Sequence, residues 1–305
     1  MSEPNSNRDF IDPKVVGRLM GLPMHARHPM LGAVSGRHRS PIRGSSLEFA
    51  EYRKYVPGDD IRRLDWRAWG RSDRYYIKEF EADTNLRLCL IVDTSGSMNF
   101  GADGSETNTK LDYARKLAGT LAYLAAHQGD AVSLSCAGTE FKSEIPAKRG
   151  ALHLGVVLDK IAEMQAVGET GLATALHDAA EQISQRALVV IISDMFTDPE
   201  SLREGFQHLR FRKHDVTLFH LLDQNEIDFD FDRPTRFMDL EGGSPILADP
   251  TLIANQYRKA VQNYLGQVDT LVRDTGIDYH RTKLSDAYDN TLARFLLGRT
   301  PKTKK

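Results

Sequence analysis

The stretch Leu86–Met98, LRLCLIVDTSGSM, decides how the rest of the chain is read. It begins as a short apolar run, the pattern of a strand buried on both faces of a sheet. It then breaks into Asp93, Ser95 and Ser97 at alternate positions. An acid and two hydroxyls at the end of a buried strand suit a serine nucleophile, a phosphate cradle or a hard-metal site, and the surrounding sequence has to discriminate.

Working outward, short aliphatic or β-branched runs alternate with longer amphipathic ones, which predicts crossover units around a parallel sheet. In TKLDYARKLAGTLAYLAAHQ, Leu111, Ala114, Leu117, Ala118, Leu121 and Leu124 make one helical stripe. DAVSLSCAG predicts the next strand, and TEFKSEI a short edge strand paired to it. Helices are expected at about 150–165 and 172–185. RALVVIISD, the most strongly β-forming run, belongs in the sheet centre. A helix from Pro199 follows, with Asp198 as its cap. HDVTLFHLLD and GIDYHRTKL are the last strands, with a helix at roughly 250–274 between them, and DAYDNTLARFLLGR closes the fold. The expectation is an α/β, doubly wound, mainly parallel six-stranded sheet.

Composition narrows the class. A 305-residue chain can bury a sizeable core, and 41% hydrophobic with 27% charged residues describes a soluble globular protein. A formal charge of -2 gives no general attraction to nucleic acid or membranes. Cys89 and Cys136 lie inside apolar runs and read as reduced core thiols, which with a polar N-terminus and no ~20-residue apolar run predicts a cytoplasmic protein without a membrane span.

In a doubly wound sheet the loops beyond the strand carboxyl ends line the ligand crevice. Asp93, Ser95 and Ser97 fall there after the first strand, Asp194 after the central one, and Thr170 in the loop of VGETGLATAL. Each has a plain structural role open to it, as a helix cap or a strand-end acid. Together they form an oxygen-only donor set, which selects a hard divalent cation, Mg²⁺ foremost with Mn²⁺ or Ca²⁺ as variants. With few carboxylates, such an ion keeps positive charge for an external acid.

The constellation resembles the metal-ion-dependent adhesion site of von Willebrand factor A domains. Asp93, Ser95 and Ser97 match its Asp-x-Ser-x-Ser, Thr170 its second-loop threonine and Asp194 its third-loop aspartate. A second resemblance covers nearly the whole chain from about Pro23 to Arg299. Glu48, Phe49, Arg53, Tyr55, Gly58, Asp59, Arg62 and Trp66, with FMDLEGG further on, are similar to the hallmarks of the bacterial domain of unknown function 58 family. That resemblance implies a von Willebrand factor A-like domain behind an irregular or β-rich N-terminal extension. It also implies a MoxR-type AAA+ ATPase as partner, in chaperone-like or assembly work.

The expected organisation is a basic, loosely ordered arm at 1–45, a collar at 46–85, the main domain at 86–298 with an acidic insertion at 223–247, and a basic tail at 299–305. Between Arg53 and Lys78 eight basic residues meet four acids, interleaved with Trp66, Trp69, Tyr75 and Tyr76. A packed collar, a protein surface and a stacking site for single-stranded nucleic acid all fit that mixture, though the acids blunt a phosphate-binding field. DQNEIDFDFD reads as an exposed strand or loop and RTPKTKK as a solvated end.

A nucleophilic Ser95 or Ser97 needs a base and an oxyanion site. The stretch is not Gly-x-Ser-x-Gly; His127 ends a helix, and His177 is the one base to test for a metal-dependent hydrolase. The preferred reading is non-enzymatic: a metal-dependent protein-interaction module that takes a partner's acidic residue.

Overall fold

A computed structural model describes residues 8–26, 48–56, 65–66, 69–70, 75–81, 86–101, 108–139, 143–231, 233–243 and 245–299. The opening stretch forms β3 (Arg87–Asp93), after an antiparallel pair, β1 (Glu48–Lys54) and β2 (Tyr76–Glu81). The main sheet adds β4 (Ala131–Ala137), β5 (Ser143–Lys148), β6 (Leu188–Ser193), β7 (Asp215–Leu222) and β10 (Asp278–Lys283), in the order β10-β7-β6-β3-β4-β5. All pairings are parallel except β4 with β5. The edge strand expected within TEFKSEI begins at Ser143, residues 140–142 lying outside the described residues, and runs on to Lys148, with Pro146 tolerated at the edge.

Strand alternation explains the two layers. Leu88, Leu90 and Val92 of β3 and Leu188, Val190 and Ile192 of β6 enter one core, while Cys89, Ile91, Val189 and Ile191 enter the other. The first core is covered by α1 (Pro13–Leu19), α2 (Lys110–His127), α3 (Ala151–Glu163) and α8 (Tyr288–Gly298); the second by α4 (Leu172–Gln182), α5 (Pro199–Phe211) and α7 (Pro250–Thr275). Each large aliphatic side chain buried this way contributes about 1.5–3 kcal/mol. The predicted stripe of α2 is buried throughout, and Asp198 caps α5 by accepting from Glu200 N–H at 3.3 Å. The order of strands reverses at β3 and β6: the chain leaves β3 toward one face and β6 toward the other, which opens a crevice at their carboxyl ends.

Three expectations change. Residues 8–26, read as loosely ordered arm, form α1 and its flanks, with Leu19 and Met24 in the core and Phe10 seated where a Cβ on Gly119 would lie 2.5 Å from its ring. The rest of the arm, residues 1–7 and 27–45, lies outside the described residues. Arg299, assigned to a solvated tail, is buried and bonds Asp215 Oδ2 at 2.7 Å and Asp278 Oδ2 at 3.0 Å. These carboxylates hold the end of α8 against β7 and β10.

The insertion is not an exposed strand at its start. Asp223 and Glu226 form a reciprocal capping box on α6 (Gln224–Asp228), and Phe229 then turns left-handed and is buried against Tyr257, ring centroids 4.1 Å apart. The apolar members of DFDFD, Phe229 and Phe231, thus fill a local cluster with Phe237. Beyond it, β8 (Thr235–Phe237) and β9 (Ile246–Ala248) pair as a hairpin.

Candidate metal site and its lining

The five predicted residues meet at the crevice. Asp93 ends β3; its Oδ1 accepts from Ser95 N–H at 3.0 Å, and its Oδ2 accepts from Ser193 Oγ at 2.7 Å and Thr170 Oγ1 at 3.4 Å. Ser95 and Ser97 hydroxyls lie 3.0 Å apart. The Ser97 hydroxyl also favours the charged forms of Asp194 and Glu241. Loop packing fixes this arrangement: Gly96 N–H donates to Gly168 O at 2.8 Å and Val167 N–H to Thr94 O at 3.0 Å, so the segment carrying Thr170 rides on the one carrying the serines. Thr170 keeps its capping role too, since Leu172 N–H reaches its Oγ1 at 3.3 Å.

Asp194 follows β6, and the next residue, Met195, has φ 56°, a left-handed conformation rare for a non-glycine residue. Met195 O accepts from the Tyr264 hydroxyl and Asp194 O lies 3.0 Å from His220 Nε2, which together fix the turn. Asp194 Oδ1 accepts from Phe196 N–H at 3.2 Å. Its Oδ2 receives Lys110 Nζ at 2.7 Å, and the same ammonium reaches Glu226 Oε1 at 2.5 Å. Lys110 is 1% exposed. An apolar cavity of about 400 Å³, lined in part by Phe196, Leu222, Tyr257 and Tyr264, adjoins the pair.

Burial sets the electrostatics. It pushes Asp93 up to about 6, helped by the charge of Asp194 and opposed by hydrogen bonds from Ser193 and Ser95. Burial acts to raise Asp194 too, but the Lys110 ammonium and the Phe196 and Ser97 hydrogen bonds outweigh it and hold that carboxyl below its ordinary range. Lys110 is disfavoured by burial yet ends above its ordinary value through Asp194 and Glu226. Desolvation leaves Glu226 raised despite Lys110. Glu241 is raised, first by desolvation and then by Asp194 and neighbouring acids, against the Ser97 bond.

The donor set fits a hard cation. Asp194 and Glu226 share one ammonium, that of Lys110, while Asp93 and Glu241 both feel the charge of Asp194, and among the described residues no Lys or Arg pairs with Asp93. Two of the carboxylates share their space with three hydroxyls, all oxygen. No described group of three or more His, Cys, Asp or Glu residues is placed to hold a metal, so any site here depends on the hydroxyls.

Sequence reading missed Lys110, Ser193, His220, Glu226 and Glu241. Ser193 directly precedes Asp194, and the Asp-x-x-Glu of the capping box was legible. Lys110 gave only a faint signal, a cation at the positive end of a helix dipole. Among the described residues His177 makes no hydrogen bond to Ser95 or Ser97; its ring lies against His208, centroids 6.1 Å apart. Both ring nitrogens of His220 are engaged, by Tyr279 Oη at 2.7 Å and Asp194 O.

The sequence profile described as "Protein of unknown function DUF58" matches residues 51–264. Uncharacterized proteins of Mycobacterium tuberculosis (Rv1480) and Mycobacterium bovis (Mb1516) are 27% identical over 296 residues, covering 95% of this chain and 92% of theirs. Among solved structures, the conserved hypothetical protein BatB from Bacteroides thetaiotaomicron is similar with a TM-score of 0.47 at 15% identity, covering 70% of this chain and 98% of its own. The SpRpn10 VWA domain gives 0.41 at 12%, covering 72% and 96%. Among the described residues no helix is long and apolar enough to cross a membrane.

Proposed function

This chain belongs to the DUF58 family, and we propose that it is a non-enzymatic, metal-dependent protein-interaction module with a von Willebrand factor A-like domain. A divalent cation, Mg²⁺ foremost, is held by Asp93, Ser95, Ser97, Thr170 and Asp194, and a partner's acidic residue completes its coordination. The observation that carries this reading is the convergence of those five oxygen-bearing side chains at the strand-order reversal, with more carboxylate charge than Lys110 neutralises. A cation supplies the missing charge and an orientation-specific contact for an incoming carboxylate.

The partner is a MoxR-type AAA+ ATPase in the cytoplasm, for which the chain acts as an adaptor; this follows from the family resemblance. The hydrolase reading finds less support, because a serine nucleophile needs a base, and among the described residues His177 makes no hydrogen bond to either serine. The test is capture from native lysate in Mg²⁺ by wild type and by Asp93→Ala. The expected result is an ATPase of that class retained by wild type and lost in the variant or in EDTA; equal capture in all three refutes metal dependence, and its absence from the wild-type capture refutes the adaptor role.

A further inference from the structure

The apolar cavity beside Lys110 shares a residue with the proposed cation site. Asp194 is one of the five proposed ligands and also lines the cavity, so the two are contiguous. One wall is the turn after β6. There Phe196 N–H donates to Asp194 Oδ1 at 3.2 Å, Thr197 N–H donates to Met195 O at 2.6 Å, and the left-handed Met195 leaves the Phe196 ring 67% exposed. The same carboxylate thus fixes the aromatic wall and faces the ion. Another wall is α7, which brings Tyr257, Ala260, Val261 and Tyr264 to the cavity at helical spacing.

The lining selects what can enter. Lys110 Nζ already bridges Asp194 and Glu226, at 2.7 Å and 2.5 Å, and the carboxylate charge it leaves over is what the cation answers. The rest of the lining is mainly aliphatic and aromatic, so a charged side chain would lose its water without gaining a partner. An apolar side chain gains burial, and an aromatic one adds ring contacts with Phe196 and the two tyrosines. A volume of about 400 Å³ admits one such side chain whole. Successive Cα atoms of a peptide lie ~3.8 Å apart, so the residue that reaches the cavity is a close neighbour of the acid that reaches the ion.

We propose that this cavity is a specificity pocket for the partner's segment, taking an aromatic or large aliphatic side chain within two positions of the acid that completes the cation's coordination. This rests on the metal reading above. The cation recognises the carboxylate, and the pocket decides which carboxylate-bearing segments are retained.

The experiment pans a fully random library of displayed seven-residue peptides on the full chain in Mg²⁺, using wild type, Ala260→Trp and Asp93→Ala. Ala260 is exposed on α7, so the tryptophan fills the cavity from its solvent side without entering the core. Wild type is expected to enrich an acid with an aromatic or large aliphatic residue within two positions of it. Ala260→Trp should keep the acid and lose the apolar neighbour, and Asp93→Ala should select neither. Calorimetry with a selected peptide then reads the pocket without any protein variant: changing the peptide's apolar residue to Ala should weaken binding to wild type roughly ten- to a hundredfold. An acid enriched without an apolar neighbour, or an alanine peptide that binds wild type as tightly as its parent, overturns this inference and leaves the metal reading standing. Apolar peptides selected without an acid, and equally in EDTA, overturn the link between pocket and cation. No acid enriched by wild type overturns both readings.

Discussion

Replacing Lys110 by Met removes the buried ammonium and keeps much of the side chain's volume. In the wild type that group is 1% exposed and lies 2.7 Å from Asp194 Oδ2 and 2.5 Å from Glu226 Oε1. Removing one partner of a buried ion pair costs about 3–5 kcal/mol, because the charge left behind is desolvated and uncompensated. For a 305-residue chain the unfolding entropy scales to about 0.6 kcal/mol/K, so the melting temperature should fall by about 5–8 °C without metal. Divalent metal should then recover part of the loss, since a cation binds the folded state alone and contributes about 2.7 kcal/mol at a hundredfold excess over Kd. The assay is urea unfolding and thermal melting of wild type and Lys110→Met, each in EDTA and in Mg²⁺. Adding Glu226→Gln to the variant should return about 1 kcal/mol or more by removing one stranded carboxylate. A Lys110→Met chain within about 1 kcal/mol of wild type in EDTA would refute the reasoning, because the carboxylates would then need no internal counterion.

Arg299→Met should destabilise by about 3–5 kcal/mol on urea unfolding, since Asp215 and Asp278 lose their buried partner. Acid sensitivity should come in part from His214, which burial, then the charges of Arg212 and Arg186, push down to about 4 while its Nδ1 accepts from Ala187 N–H at 3.2 Å. The unfolded ring takes a proton near pH 6.5 and the folded one only near 4, so this stability is present at neutral pH and is lost as pH falls through that window; about 2 kcal/mol should be gone by pH 5, a slope that His214→Asn removes in chemical unfolding. Gly119→Val should displace Phe10, whose ring would lie 2.5 Å from the new Cβ, and so expose residues 8–26 to limited proteolysis while metal binding persists; protection equal to wild type would count against the seat described for Phe10.

The sheet was legible because LRLCLIVD and RALVVIISD are apolar beyond what any surface strand tolerates, and because the stripe from Leu111 to Leu124 has helical spacing. Asp93, Ser95, Ser97, Thr170 and Asp194 were legible for a related reason: strand ends in a doubly wound sheet share one rim, so distant positions can be placed together from pattern alone. Lys110 and Glu226 were hidden because their meeting depends on where a helix start and a one-turn helix land in space. Of the two readings open for DFDFD, exposed strand or loop, the strand fails because its alternation is satisfied instead by a left-handed Phe229 packing on Tyr257. RTPKTKK carries a run of positive charge, and nothing local distinguishes Arg299, whose carboxylate partners come from β7 and β10.

Calorimetric titration of Mg²⁺ or Mn²⁺ into the full chain tests the account most directly. One binding site in wild type, abolished by Asp93→Ala and weakened by Thr170→Ala, is the predicted result. Absence of binding heat in wild type, together with a melting temperature that EDTA and Mg²⁺ leave unchanged, would contradict it.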